Sequence, residues 1–158
     1  MKNQKLYVIT GGPGVGKTLL LNELSKLGYE TVPEDARRII KEQMRTNGQG
    51  LPWKDKDLYS QLMLQASIET YKRVLNEASS NTVFFDRGIL DTICYMQMEN
   101  VPISDELRTA VCLYPYLTKV FILPPWEEIY ETDNERKQTW EEAVFTFEKI
   151  VSSPKKST

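Results

Sequence analysis

Four stretches of the chain carry side chains suited to phosphate chemistry. In GGPGVGKTLL, Gly11, Gly16, Lys17 and Thr18 satisfy the spacing G-x-x-x-x-G-K-[ST]. A turn built from Gly12, Pro13, Gly14, Val15 and Gly16 lets successive backbone N–H groups face a bound anion, and a helix starting near Lys17 adds its positive dipole end. Lys17 is then placed to reach the β and γ phosphates and the Thr18 hydroxyl to ligate Mg²⁺. No N-K-x-D sequence that would read guanine is present, so ATP is the expected nucleotide.

The second stretch is FFDRG, Phe84 to Gly88. Asp86, at the carboxyl end of an apolar run, is placed to hold magnesium directly or through water. Arg87 follows where an ATPase that activates water more usually has a second carboxylate, and a cation there suits an acceptor or a transferred phosphoryl group. The third is VPEDARRII, with Glu34 and Asp35 opening a helix and Arg37 and Arg38 in its first turn. A carboxylate on the rim shared with the phosphate loop can accept a hydroxyl proton, and neighbouring arginines can bind an anionic acceptor. Glu34, nearer the strand end, is preferred over Asp35 as the working carboxylate. The fourth is the charged segment of about residues 126–138, whose Arg136 and Lys137 suit a lid that closes cations over the phosphates. Ordinary surface roles, as dipole complements, ion pairs or a solvated charge run, are the alternatives for these last three.

Composition narrows the chemistry further. The 158 residues include no histidine, which removes serine–histidine triads, histidine bases and most zinc sites. Twenty basic against 22 acidic residues give a net charge of -2, so neither nucleic acid nor an anionic membrane is an expected partner. With no signal-peptide core and no run long enough to span a bilayer, a cytoplasmic protein is expected. Cys94 and Cys112 stand apart, away from metal-ligand spacing, and are expected as buried free thiols.

The elements that must position these residues alternate along the chain. Apolar runs at Lys5–Thr10, Tyr29–Val32, Thr82–Asp86 and Lys119–Leu123 read as strands, three of them apolar enough to be buried on both faces of a parallel sheet. Helical periodicity predicts an inward stripe of Leu20, Leu24 and Leu27, and another of Ala36, Ile39, Ile40 and Met44. A long helix over Asp55–Ala78 should bury Leu58, Leu62, Ala66, Tyr71, Leu75 and Ala78. Helices are also predicted at Asp91–Glu99, at Ser104–Leu113 and after a Thr139/Glu142 capping box, with Thr46–Trp53 as a surface loop. The pattern is that of one α/β doubly wound domain.

Taken together, GGPGVGKT, PEDARRII, FFDRGILDTICY and YETDNERKQTWEEA resemble the P-loop kinases that include thymidylate and deoxynucleoside kinases. More closely, they resemble the bacterial AAA-labelled ATPase family related to the nicotinamide riboside kinase domain of the NAD-biosynthesis regulator. The resemblance implies strand order 2-3-1-4-5, Mg-ATP binding and a small-molecule acceptor near Glu34 and Arg87. The tail SSPKKST cannot supply a fifth strand, so the expected order here is 2-3-1-4, with a shortened C-terminus and an exposed sheet edge through which a homo-oligomer could form. The leading expectation is a kinase of a nucleoside, nucleotide or similar hydroxyl compound, in which Lys17, Arg87 and Arg136 stabilise phosphoryl charge, Thr18 and Asp86 hold Mg²⁺, and Glu34 orients or deprotonates the acceptor. The alternatives are an ATPase or nucleotide-dependent switch that engages a protein partner, and a nonhydrolysing nucleotide-binding subunit.

Overall fold

A computed structural model describes residues 4–116, 119–127 and 139–152. Strand β1 spans Lys5–Thr10, β2 Glu30–Val32, β3 Thr82–Asp86 and β4 Val120–Ile122. The helices are α1 (Lys17–Lys26), α2 (Asp35–Arg45), α3 (Lys56–Glu77), α4 (Ile89–Met98), α5 (Asp105–Leu113) and α6 (Trp140–Ser152). All strand pairs are parallel, as the apolar runs predict, and the order is β2-β3-β1-β4, as the resemblance implies. Among the described residues the sheet has four strands, with β4 at one edge and Phe121 half exposed on it. No described helix is long and apolar enough to cross a membrane.

Side-chain alternation along the strands sorts the core. Leu6, Val8, Val32, Val83 and Phe85 are buried with Tyr71, Val74 and Ala78 at the end of α3. From alternate positions of β1, β3 and β4, Tyr7 stacks on Phe84 at 5.3 Å and meets Phe121 at 5.7 Å. Side-chain caps fix the starts of α3, α5 and α6. Asp55 accepts from Leu58 N at 2.9 Å and Ser104 from Leu107 N at 3.3 Å. Thr139 and Glu142 close the expected reciprocal box, at 2.7 and 3.3 Å.

Helix phase is where the structure departs from periodicity. In α1 the buried positions are Lys17 and Leu21, while Leu27 is 75% exposed and Leu20 is partly exposed. Lys17 must turn into the phosphate loop, and that requirement brings the residue four positions on inward, ahead of the leucine stripe. Helix α3 buries Tyr59, Ser60, Ala66, Thr70, Tyr71 and Val74 and leaves Leu75 exposed. It packs in three clusters, with the sheet, with Ile39 of α2 and with Ile89 and Met96 of α4, so its buried positions spread around the axis. Met44 of α2 is exposed. Leu51, inside the predicted surface loop, is buried, and the Gln43 side chain holds that loop by accepting from Gly50 N at 2.9 Å.

Neither cysteine is in a disulfide, and neither thiol is buried as expected: Cys94 is half-buried and Cys112 exposed. Helix α5 turns Leu107 and Ala110 inward, and Cys112, two residues beyond Ala110, falls on the opposite side.

Candidate active site

The phosphate loop connects β1 to α1 and depends on glycine geometry. Gly11 (φ 142°), Gly14 (φ 77°) and Gly16 (φ 86°) all have positive φ. A Cβ on Gly11 would sit 2.7 Å from the Leu123 carbonyl oxygen just past β4, so loop and edge strand approach as closely as they do only because the side chain is missing. Helix α1 starts at Lys17, and its amino end faces the loop. Pro13, Gly14 and Gly16 are half-buried, Gly12 and Val15 are buried, and Thr18 is exposed at the second helical position.

Lys17 is 8% exposed and its ammonium donates to Gly11 O at 3.1 Å and Gly12 O at 2.7 Å. Burial and then the nearby Arg87 charge push its pKa down to about 8, against the opposing pull of Asp86, Glu34 and Asp91. The lysine is thus folded onto the loop's own carbonyls, and it is burial above all that disfavours its charge. A polyphosphate in direct contact would favour the charged amine.

At the carboxyl end of β3 the chain turns sharply. Asp86 pairs in register with Ile9 of β1, and Arg87 N donates to Ile9 O at 2.9 Å. Arg87 adopts φ 66°, a left-handed conformation that costs a non-glycine residue about 1 kcal/mol. The turn aims its guanidinium across the rim: Nε lies 2.8 Å from Glu34 Oε1, the residue just before α2, and Nη1 lies 3.5 Å from Asp91 Oδ1. The shorter contact pairs the guanidinium with the Glu34 carboxylate as an ion pair. Desolvation works against the guanidinium charge, but Asp91, Glu34 and Asp86 outweigh it and raise its pKa.

Asp86 has a different environment. Its Oδ1 is buried and has no hydrogen-bond partner, and burial followed by the Glu34 charge raises its pKa. An orphaned carboxylate oxygen beside the phosphate loop fits a hard cation with oxygen ligands, and the exposed Thr18 hydroxyl is a second ligand of the right chemistry. No group of three or more acidic, cysteine or histidine ligands forms among the described residues, so a cation here would have to complete its shell with phosphate and water.

Beside these groups opens a cleft walled by Pro33, Glu34, Met63, Ser67, Thr70 and Tyr116. The loop, the paired carboxylate and arginine, and the cleft follow one another along the carboxyl rim of the sheet, where α/β folds bind ligands.

The profile of the AAA domain family matches residues 6–155. The chain belongs to the AAA domain family. No curated protein sequence matches it. Among solved structures, this AAA domain superposes on a NadR protein in complex with NR, with TM-score 0.67 and 18% identity, covering 94% of this chain and 41% of that one. A NadR protein in complex with NAD and AMP-PNP gives 0.62 and 20%, covering 94% and 40%. The deoxyadenosine kinase from M. mycoides with bound dATP gives 0.58 and 19%, covering 95% and 85%. The chain therefore spans about two fifths of the NadR chains. At these identities the likeness establishes the fold alone, a parallel sheet of order β2-β3-β1-β4 between helices.

Within this AAA domain, Lys17, Glu34, Asp86 and Arg87 come together as the sequence predicts. Arg37 and Arg38 do not join them. Both are exposed, and Arg38 pairs with Asp35 at 2.9 Å along its own helix, so neither lines the cleft. Asp35 also accepts from Thr70 at 3.3 Å, so it is engaged at the helix start while Glu34 faces Arg87. Arg136, Lys137 and most of the expected lid lie outside the described residues.

Sequence reasoning missed Thr10, Ser67, Thr70, Asp91 and Tyr116. Asp91 had a legible signal, since it stands three residues after Gly88 and accepts from Gly88 N at 2.8 Å in the first turn of α4. Tyr116 had none: only the tertiary fold brings its ring against Gly88 and, at 5.1 Å, onto Phe85.

Proposed function

We propose that this AAA domain is an ATP- and Mg²⁺-dependent phosphotransferase whose acceptor is a small, hydroxyl-bearing, nucleoside-like molecule. The observation that carries this reading is the Glu34–Arg87 pair, placed between the phosphate loop and the cleft. A hydrolytic site needs a way to orient water. This one offers a carboxylate on an open cleft, with a guanidinium beside it.

Mg-ATP, when bound, supplies an electrophilic γ-phosphoryl group at the end of the loop. Lys17 leaves the carbonyls of Gly11 and Gly12 and holds phosphate oxygens, while backbone N–H groups from Gly14 to Thr18 hold the rest. Thr18 and Asp86 hold the cation. Glu34 accepts the hydroxyl proton of the acceptor, and Arg87 stabilises the charge that develops on the moving group. Arg136, outside the described residues, would add positive charge for the transferred phosphoryl group, and residues 1–158 act as one kinase-like domain. Support for the nucleotide comes from the solved relatives, which hold AMP-PNP and dATP, and support for the acceptor class from the one that holds NR.

Charge favours an acceptor without a phosphate. Among the described residues, Glu34, Asp35, Asp86 and Asp91 line the cleft with Arg87 as the cation facing them, and Arg38 is spent on Asp35. An uncharged or cationic nucleoside meets this field more favourably than a nucleoside monophosphate. A switch that engages a protein partner is the second reading, favoured by Trp53, which is 64% exposed on its loop. The apolar edge at β4 supports a homo-oligomer formed by strand pairing.

The test is ADP release from Mg-ATP across a panel of nucleosides and their monophosphates. The kinase reading expects at least one nucleoside to raise release above the acceptor-free rate and its monophosphate to do so less. A flat panel, with release that responds only to a protein partner, would support the switch.

A further inference from the structure

Asp91 is charged, 9% exposed and unused in the scheme above, yet it touches three parts of the site. Its Oδ1 accepts from the hydroxyl of Thr10, the last residue of β1, itself 3% exposed and bonded directly to Gly11 of the phosphate loop. Its Oδ2 accepts from Gly88 N at 2.8 Å, pinning the chain just after the left-handed Arg87. Its Oδ1 also lies 3.5 Å from Arg87 Nη1.

The contacts of Arg87 show why this matters. Its Nε faces Glu34 at 2.8 Å, and a Glu34 that takes a proton from an acceptor must turn toward that acceptor. Asp91 has no such second task. It is held from both oxygens by groups of the fold's own framework and stays beside the guanidinium while Glu34 works.

We propose that Asp91 is a positioning residue that anchors Arg87 at the cleft and, through Thr10, ties it to the root of the phosphate loop, so that nucleotide binding is felt at the arginine. The catalytic half of this statement rests on the phosphotransferase reading. The anchoring and the coupling do not.

The test therefore reads the arginine itself. In the full chain, ¹⁵N NMR follows the Arg87 Nε–H signal, assigned by its loss in Arg87→Lys, with and without Mg-AMP-PNP. In the wild type the signal should be protected from solvent exchange and should shift when Mg-AMP-PNP binds. In Asp91→Asn its exchange should accelerate by about tenfold or more. In Thr10→Val, which removes only the hydroxyl, the AMP-PNP response should be lost while AMP-PNP affinity changes by less than about threefold, and Thr10→Ser should restore it. A residue that merely capped α4 would lower thermal stability without moving these signals. Wild-type protection retained in a folded Asp91→Asn, or a wild-type AMP-PNP response in Thr10→Val, overturns the proposal. So does a wild-type signal indifferent to AMP-PNP. If Asp91→Asn does not fold, the Thr10 pair decides. No step reads phosphoryl transfer, so intact coupling with no nucleoside phosphorylated would sink the kinase reading alone.

Discussion

Glu34 Oε1 lies 2.8 Å from Arg87 Nε, joining the chain just past β2 to the chain just past its parallel neighbour β3. The pair forms only because Arg87 bends into a left-handed conformation at the end of its strand. Sequence neighbours Asp86 and Arg87 thereby divide their work. One carboxylate oxygen is left bare beside the phosphate loop, and one guanidinium reaches across to the cleft.

The bend makes a prediction about stability that is separable from activity. Arg87→Gly and Arg87→Ala remove the same guanidinium, so both should lose acceptor phosphorylation. They differ in backbone preference, and the glycine variant should be the more stable by about 1 kcal/mol in urea unfolding. Equal midpoints would show that φ 66° carries no cost here.

Lys17 predicts two pH dependences. Its pKa is about 8 in the folded chain against an ordinary 10.5, so between those values the unfolded chain binds more of this proton and stability rises with pH. Below pH 8 both states are protonated and the penalty is constant. The wild type should therefore gain stability relative to Lys17→Met as pH rises from 8 toward 10.5. Polyphosphate favours the charged amine, so ATP binding near pH 8 should take up a proton and affinity should fall, by up to about tenfold per pH unit, above it. Calorimetry in buffers of different ionisation enthalpy measures the uptake. No uptake, or the same uptake in Lys17→Met, contradicts the assignment.

Two adjacent glycines should behave differently. In Gly11→Ala a Cβ meets the Leu123 carbonyl at 2.7 Å from a backbone with φ 142°, so loop and β4 must separate, at a cost of about 2 kcal/mol or more. In Gly12→Ala the nearest atom is Ala143 O at 3.7 Å, and stability should stay within about 0.5 kcal/mol. Thermal unfolding distinguishes them, and equal losses would rule out the close approach to β4 as the cause.

Much of this was legible in the sequence because it was local. Continuous apolar runs gave three of the four strands, with β1 and β3 matching residue for residue, and the G-x-x-x-x-G-K-T spacing placed both the loop and the start of α1. Glu34, Asp86 and Arg87 could be brought together on paper because parallel strands share a rim. Helix faces were less legible. Periodicity finds a stripe but not the tertiary demand that sets its phase, as the inward turn of Lys17 over the leucines shows. Arg38 looked like an acceptor ligand because its nearest counter-charge, Asp35, was counted as part of the site. The Thr10–Asp91 contact spans 81 positions and exists only once β1 and α4 are in place.

The most direct test of the central claim follows the γ-phosphate of labelled ATP into an organic acceptor in the wild type and in Glu34→Gln, with nucleotide affinity measured alongside. The account predicts label transferred to an unphosphorylated nucleoside by the wild type. It predicts that transfer falls by about 10²-fold or more in Glu34→Gln while ATP affinity stays within a few fold. Label released only as inorganic phosphate, or transfer that survives undiminished in Glu34→Gln, would contradict it.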